Sequence, residues 1–181
     1  KVGTIVPLYR EENKYYIDES NLDNLVFLDN GTQFVITSEK SGYMHLYLYD
    51  LNGRERQAIT KGNFDIIDFY GYDPVRKLFY YSSYEESPLE KYIYSINEKG
   101  LKKKGWNEAS FSKNFNYYIN VVSNTDTPPV TALYNAKGKQ VRVLEDNKAV
   151  KEAVKAYNLA KPEFLQIPAA DGKTMLNAWI M

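Results

Sequence analysis

The chain has 181 residues, 44% of them hydrophobic, and its 23 basic residues balance its 23 acidic residues. This balance argues against a nucleic-acid-binding protein, which needs a basic surface to neutralise phosphates. No apolar run reaches membrane-spanning length, and a chain without cysteine has no disulfide, no thiol nucleophile and no cysteine-bound zinc.

A pattern that occurs three times organises most of the chain. Each copy has an aromatic residue, a polar turn and then an apolar or aromatic strand, with turns near Asn30, Asp73 and Lys113. The copies lie about 40 to 45 residues apart, which is the length of one four-stranded propeller blade. The 17 tyrosines favour such sheets, because the ring packs while the hydroxyl reaches water. Since one blade cannot bury both of its faces, three blades indicate part of a larger repeat protein.

The N-terminal part is interpreted as the end of a preceding blade, residues 1–19, followed by a full blade over 20–62. Asn-Gly pairs at Asn30 and Asn52 predict two hairpin turns in this blade, because such turns require positive φ. The predicted strands are 25–28, 34–37, 46–49 and 57–60.

Two further blades are predicted over 63–104 and 105–146. The fourth strand of the first of these has the weakest pattern, and residues 135–138 predict the turn of the last hairpin. The predicted strands are 66–70, 77–82, 91–96 and 101–104 in one blade and 108–111, 117–122, 130–134 and 140–144 in the other.

Helical spacing of apolar residues replaces the strand pattern after residue 146. It predicts a helix over 148–157 within a linker, 147–161, with Asp146 or Asn147 as its N-cap and Pro162 as its stop. Two apolar runs, 164–167 and 175–180, flank a turn at 169–172. Residues 162–181 are therefore interpreted as the start of a different domain.

Several segments, taken in order, resemble the dipeptidyl peptidase IV family of the prolyl-oligopeptidase clan. Their order and spacing are more specific than any one motif, and Phe64 departs from the pattern because the family usually has Trp there. The propeller-like segments are 38–49, 51–53, 59–66, 126–130 and 142–147, and residues 162–179 resemble the start of the family's α/β-hydrolase domain.

The resemblance implies a mainly β chain: about three four-stranded blades of a partial β-propeller, a linker helix and the first hairpin of a hydrolase domain. The implied parent is a serine exopeptidase that releases N-terminal dipeptides with Pro or Ala next to the cut. Its Ser, Asp and His would follow Met181, and its paired glutamates, which hold the substrate amine, would come from an earlier propeller segment. No catalytic, cofactor or metal residue is therefore expected in this chain.

The implied partners are the rest of the propeller, the hydrolase domain and, in the parent, a peptide substrate. A periplasmic or extracellular parent is expected by resemblance alone. The chain starts at Lys1 rather than Met and stops inside an apolar run, so both ends are expected to be boundaries within a longer protein, and cut blade faces are expected to self-associate. A partial propeller of a non-enzymatic binding or scaffold protein stays open as the alternative. A Gly-x-Ser-x-Gly motif in the parent gene beyond Met181 would distinguish the two.

His45 is the only histidine and so the first candidate for a catalytic base. A base needs a nucleophile and an orienting acid around it, and no serine in the chain lies in a Gly-x-Ser-x-Gly elbow. His45 is therefore predicted to hydrogen-bond within its blade. Glu85 and Glu86 are predicted to form a solvated acidic turn between two strands.

Other polar residues have a functional and a structural interpretation. Asp18 and Glu19 either face the substrate cavity of the parent or flank a strand, and the second is favoured. Residues 102–104, all lysine, predict a solvated strand edge rather than a nucleic-acid site. The glycosylation sequon at Asn30 is explained by its turn. The helix is interpreted as a linker that packs its Ala/Val face between propeller and hydrolase, rather than as a partner-binding helix.

Overall fold

The computed structural model describes residues 3, 5–19, 24–28, 31–96 and 101–181. Within these ranges the chain forms thirteen strands and one helix. The elements are β1 (Val26–Phe27), β2 (Gln33–Ser38), β3 (His45–Asp50), β4 (Glu55–Ala58), β5 (Ile66–Asp73), β6 (Leu78–Ser83), β7 (Tyr92–Ser95), β8 (Trp106–Phe111), β9 (Tyr117–Asn124), β10 (Thr127–Asn135), β11 (Gln140–Glu145), α1 (Lys148–Ala156), β12 (Glu163–Pro168) and β13 (Met175–Ile180).

Every paired strand is antiparallel to its neighbour along the chain, as in the blades of a propeller. The first sheet has the order β1-β2-β3-β4, the second β5-β6-β7 and the third β8-β9-β10-β11, and a β12-β13 hairpin follows. The prediction of a mainly β, partial propeller with one helix and a final hairpin is therefore confirmed.

The predicted fourth strand of the second blade is wrong. Residues 101–104 lie in no strand, so the described part of the second sheet has three strands. Leu101 is buried among the side chains that join the second and third sheets. This segment is therefore held by the burial of Leu101 and not by backbone pairing with a neighbouring strand.

Short turns close most hairpins through side-chain acceptors. The Asp73 Oδ1 atom accepts hydrogen bonds from the backbone N–H groups of Val75 and Arg76, at 2.9 and 3.1 Å. Asn135 Oδ1 does the same for two amides of its own turn. These bonds satisfy turn amides that no strand partner reaches. The predicted turn at Asn30 lies outside the described residues, apart from Gly31, which has a φ of 60°.

Aromatic and aliphatic side chains bind each sheet to the next. One buried cluster joins the first and second sheets and another joins the second and third. Strand alternation produces this arrangement, because successive residues of β2 point to opposite faces. The main members are Val35, Leu46, Ile66, Tyr81 and Tyr94 in the first cluster and Tyr80, Ile93, Phe115, Tyr118 and Tyr134 in the second.

An irregular N-terminal segment covers the far face of the first sheet. Described residues 5–19 form no strand, but Leu8 and Tyr9 pack on the buried aromatic side chains of that face. The Tyr9 ring meets the Tyr49 ring edge-on at 5.0 Å, and its hydroxyl donates to Glu11 Oε2 at 2.6 Å. Ser38 Oγ donates to the other oxygen of Glu11 at 2.8 Å. We call residues 5–12 the N-terminal strap.

The helix α1 ends one residue before its predicted end and has an unusual start. Asn147 has a left-handed backbone, with φ 49°, and its side chain donates to the Pro129 carbonyl instead of capping the helix. Asp146 Oδ1 accepts from the first helical amide, that of Lys148, at 3.0 Å. The apolar side chains Val150 and Val154 are exposed. Among the residues that the structure describes, no helix is both long and apolar enough to cross a bilayer.

We expect the isolated chain to self-associate as its concentration rises. Tyr117 and Ile119 on the third sheet and Trp179 on the last hairpin are exposed, and burying apolar surface is worth about 25 cal/mol per Å². Light scattering across a concentration series, with a hydrophobic dye, measures this. A variant truncated after Pro162 should associate less. A strictly monomeric chain that binds no dye would contradict the expectation.

Candidate functional site

A group of interacting charged side chains joins the second and third sheets at one end of their strands. Ile66, at the start of β5, pairs with Ser83, at the end of β6. Trp106, at the start of β8, pairs with Ser123, near the end of β9. Strand β11 is antiparallel to β10 and runs toward the same end, so the chain leaves the third sheet there to enter α1. We call this side the exit end.

Lys91 connects the second and third sheets at the exit end. Its Nζ atom lies 3.0 Å from Asp68 Oδ2, on β5, and 2.6 Å from Glu108 Oε1, on β8. The lysine side chain is only 4% exposed, whereas those of Asp68 and Glu108 are 40% and 53% exposed. A buried ammonium group thus holds two carboxylates that reach solvent.

Two further side chains orient these carboxylates. Ser82 Oγ donates to Asp68 Oδ2 at 2.7 Å, and the indole Nε1 of Trp106 donates to Glu108 Oε1 at 2.8 Å. The Lys91 Nζ atom also lies 5.2 Å from the centroid of the Trp106 ring, within cation–π distance. We call these five residues, Asp68, Ser82, Lys91, Trp106 and Glu108, the junction cluster.

Lys91 and Asp68 of the junction cluster are ionised at neutral pH. Burial lowers the pKa of Lys91, but hydrogen bonds to Glu108 and Asp68 outweigh burial and leave the pKa raised. Burial raises the pKa of Asp68, but hydrogen bonds from Ser82 and Lys91 outweigh it and leave that pKa lowered. Two carboxylates and one ammonium leave one excess negative charge. This arrangement can orient a cationic group, but it contains no free nucleophile, because Ser82 is fully buried and bonded to Asp68.

A pair of buried asparagine side chains holds the backbone next to the junction cluster. Asn107 Nδ2 donates to the carbonyl of Lys91 at 2.8 Å and to that of Lys103 at 2.7 Å, and Asn120 Nδ2 donates to Asn107 Oδ1 at 2.7 Å. Gly105 is required nearby: it has a φ of 119°, and an added Cβ would lie 2.6 Å from the Ser123 carbonyl oxygen. These contacts position Lys91 between the two sheets.

A cleft of about 910 Å³ opens beside the helix at the same end. The β9–β10 turn and α1 form its walls, and Val154 and Leu159 contribute apolar surface. Asp126 and Lys161 meet across it, with 3.3 Å between Oδ1 and Nζ. The cleft brings no nucleophile, base and acid together.

His45 lies at the start of β3, in the first sheet, and is buried. Its Nδ1 atom is 3.2 Å from Thr60 Oγ1, and its Nε2 atom is 3.0 Å from the Gly62 carbonyl oxygen. The Phe64 ring, at the position where the family usually has Trp, meets the imidazole edge-on at 5.2 Å. Both ring nitrogens are therefore engaged within the blade, in agreement with the structural interpretation.

The structure does not bring the predicted acidic residues together. Glu85 and Glu86 lie in the exposed loop between β6 and β7, as predicted, and Glu86 pairs with Lys102. Asp18 and Glu19 are exposed, and described residues 5–19 form no strand before them. Residues 20–23, which follow them, lie outside the described residues, so the strand predicted beside them stays a prediction. In the described ranges, no three His, Asp or Glu side chains are placed to hold a metal ion.

The lysines at 102–104 do not form the predicted strand edge. Lys102 Nζ lies 4.7 Å from the centroid of the Tyr94 ring, and Lys103 Nζ lies 4.6 Å from that of Tyr134. These contacts span from the second to the third sheet, so the lysines cover aromatic faces instead of an edge.

Comparison with known proteins identifies a protein family that this chain matches. Residues 1–129 match the family described as the dipeptidyl peptidase IV (DPP IV) N-terminal region. A probable dipeptidyl peptidase 4 of Aspergillus flavus is 28% identical over 171 residues, which cover 85% of this chain and 22% of that protein. The dipeptidyl peptidase 4 of Trichophyton equinum is 28% identical over 170 residues, with the same shares.

Solved structures agree with the sequence matches. The crystal structure of Porphyromonas gingivalis dipeptidyl peptidase 4 has a TM-score of 0.85 and 40% identity, and the match covers 95% of this chain and 25% of that one. A putative dipeptidyl aminopeptidase IV from Bacteroides ovatus has a TM-score of 0.71 at 24% identity, over 84% of this chain and 25% of that one, which shows the fold alone. The chain thus spans a quarter or less of the length of these relatives.

Proposed function

The chain belongs to the family of dipeptidyl peptidase IV N-terminal regions, and we propose that it forms the last propeller blades of a serine-type dipeptidyl peptidase. The observation that carries the proposal is the match to the Porphyromonas gingivalis enzyme, at 40% identity over 95% of this chain. The parent would release N-terminal dipeptides with Pro or Ala next to the cut. We place it in the periplasm or outside the cell, as the family resemblance implies.

In this proposal the chain gates the entry of peptide substrates and helps to position them, whereas the hydrolase domain carries out the chemistry. The exit end faces that domain, because α1 and the β12–β13 hairpin follow β11 there. The exposed carboxylates of Asp68 and Glu108 would meet peptides on their way to the catalytic serine. The closed propeller would admit short peptides and exclude folded proteins.

We expect the purified chain not to hydrolyse a Gly-Pro or Ala-Pro chromogenic amide. No serine of the chain lies in a nucleophile elbow, and both nitrogens of His45 are engaged within its blade. Release of the chromophore measures this directly. Turnover that survives purification and is lost in a His45→Ala variant would contradict the expectation.

The parent gene tests the proposed function itself. It should encode a Gly-x-Ser-x-Gly motif beyond Met181, followed by Asp and then His. Replacing that serine with alanine in the full-length protein should abolish hydrolysis of the Gly-Pro amide. A parent without the motif would overturn the proposal and favour the non-enzymatic propeller.

A further inference from the structure

The turn between β3 and β4 exposes an Asn-Gly pair, Asn52–Gly53. The backbone of the turn is ordered by Asp50, whose Oδ1 atom accepts from the amides of Asn52 and Arg54 at 2.9 and 3.0 Å. In the part of the chain that the structure describes, no group hydrogen-bonds the side-chain amide of Asn52. The amides of Asn107 and Asn120, in contrast, are buried and bonded.

An exposed, unbonded asparagine before glycine is open to attack by its own backbone. The Gly53 nitrogen adds to the Asn52 side-chain carbonyl carbon, the new C–N bond closes a succinimide ring, and ammonia leaves. Water then opens the ring at either carbonyl, which produces aspartate or isoaspartate with no change of oxidation state. Glycine favours the first step because it has no Cβ to hinder the approach, and asparagine is among the thermolabile residues.

The native turn slows this reaction but does not exclude it. The Gly53 N–H donates to the Asp50 carbonyl at 3.0 Å, so the turn must open before the nitrogen can attack. Exposed turns open locally at low free-energy cost. The reaction is therefore slower in the folded chain than in the unfolded chain, and faster at Asn52 than at the buried asparagines.

Gly53 also supports the N-terminal strap. Its φ is 72°, and an added Cβ would lie 2.8 Å from the Leu8 carbonyl oxygen. Isoaspartate inserts one extra carbon into the main chain immediately before Gly53. Because the strap rests on this turn and on Tyr49, the longer backbone displaces the surface on which Leu8 lies.

We propose that Asn52 is a site of spontaneous deamidation, and that its isoaspartate product loosens the N-terminal strap from the first sheet. This inference concerns the described chain alone and does not depend on the proposed peptidase activity.

Ageing the folded chain at mildly alkaline pH, followed by peptide mass spectrometry, tests the first part. We expect the mass gain of amide-to-acid conversion at Asn52, faster in urea than in buffer, and none at Asn107 or Asn120 in buffer. The peptide that holds Asn30–Gly31 is quantified separately. An Asn52→Gln variant should show no gain at residue 52. Retention of the Asn52 amide in buffer, over a period that converts it in urea, would overturn the proposal.

Trypsin cleavage after Arg10 tests the second part, because cleavage of a locally opened segment follows its open population. In the isoaspartate form, separated by ion exchange, cleavage should be about tenfold faster, which corresponds to about 1.4 kcal/mol. An Asn52→Asp variant carries the charge without the extra carbon and should be cleaved like the unmodified chain. Cleavage after Lys173, in the exposed turn between β12 and β13, serves as the internal reference. An unchanged rate at Arg10 in the isoaspartate form would overturn the link to the strap.

Discussion

Replacing Phe115 with alanine should destabilise the chain by about 3 to 5 kcal/mol, the usual cost of removing a buried phenylalanine. Phe115 comes from the β8–β9 turn of the third sheet, is 9% exposed and inserts between the second and third sheets. Its ring stacks on Tyr80 at 5.2 Å. Gly71 makes room for it, since an added Cβ there would lie 2.9 Å from Phe115 Cζ. Alanine leaves a cavity that these rings cannot easily fill.

Urea unfolding followed by circular dichroism measures the Phe115 effect. The matched control is Tyr117→Ala. Tyr117 is an aromatic residue two positions later that is 48% exposed, so its replacement should lower the free energy of unfolding by less than about 1 kcal/mol. Phe115 has a φ of 54°, and alanine keeps that strain, so relief of backbone strain does not confuse the comparison. Equal losses in the two variants would mean that Phe115 does not join the sheets.

Replacing Lys91 with methionine should cost about 2 kcal/mol. Removing one partner of a fully buried ion pair costs about 3 to 5 kcal/mol. Here the remaining carboxylates of Asp68 and Glu108 are substantially exposed, so water compensates part of the loss. The control is Lys102→Met. Lys102 pairs with Glu86, and both side chains are about half exposed. This pair should contribute no more than about 1 kcal/mol to stability.

The pH dependence of the Lys91 effect has a definite sign. The pKa of Asp68 is lowered in the folded chain, so its contribution to stability is present above its unfolded pKa of about 3.9 and is lost as the pH falls through the folded value. Removing Lys91 raises that folded pKa and should flatten the acid side of the stability profile. Urea midpoints between about pH 3 and pH 7 measure this. A Lys91→Met variant with the wild-type acid slope would contradict the assignment.

Local pattern was sufficient to predict most elements. Alternation marked the strands, and the spacing after residue 146 marked the helix, which the structure shows as Lys148–Ala156. Turn residues such as Asp73 and Asn135 accept their own turn amides. These features depend on a few neighbouring residues, so they can be predicted without knowing what packs on them.

The junction cluster could not be predicted from local pattern. Lys91 is 23 residues from Asp68 and 17 from Glu108 along the chain, and no motif marks any of the three. The missing strand at 101–104 has the same origin, because burial of Leu101 and the contacts of Lys102 and Lys103 with aromatic rings involve residues on other strands.

Periodicity and turn chemistry are therefore sufficient to predict most strand segments, the helix, the turns and the propeller class. The three-dimensional arrangement was needed to show that a lysine is buried between two carboxylates, which atoms His45 hydrogen-bonds and that the strap covers the first sheet. Hydrogen bonds, ion pairs and burial depend on the distances between side chains. Packing of one sheet on the next sets those distances, and the order of residues within a strand does not.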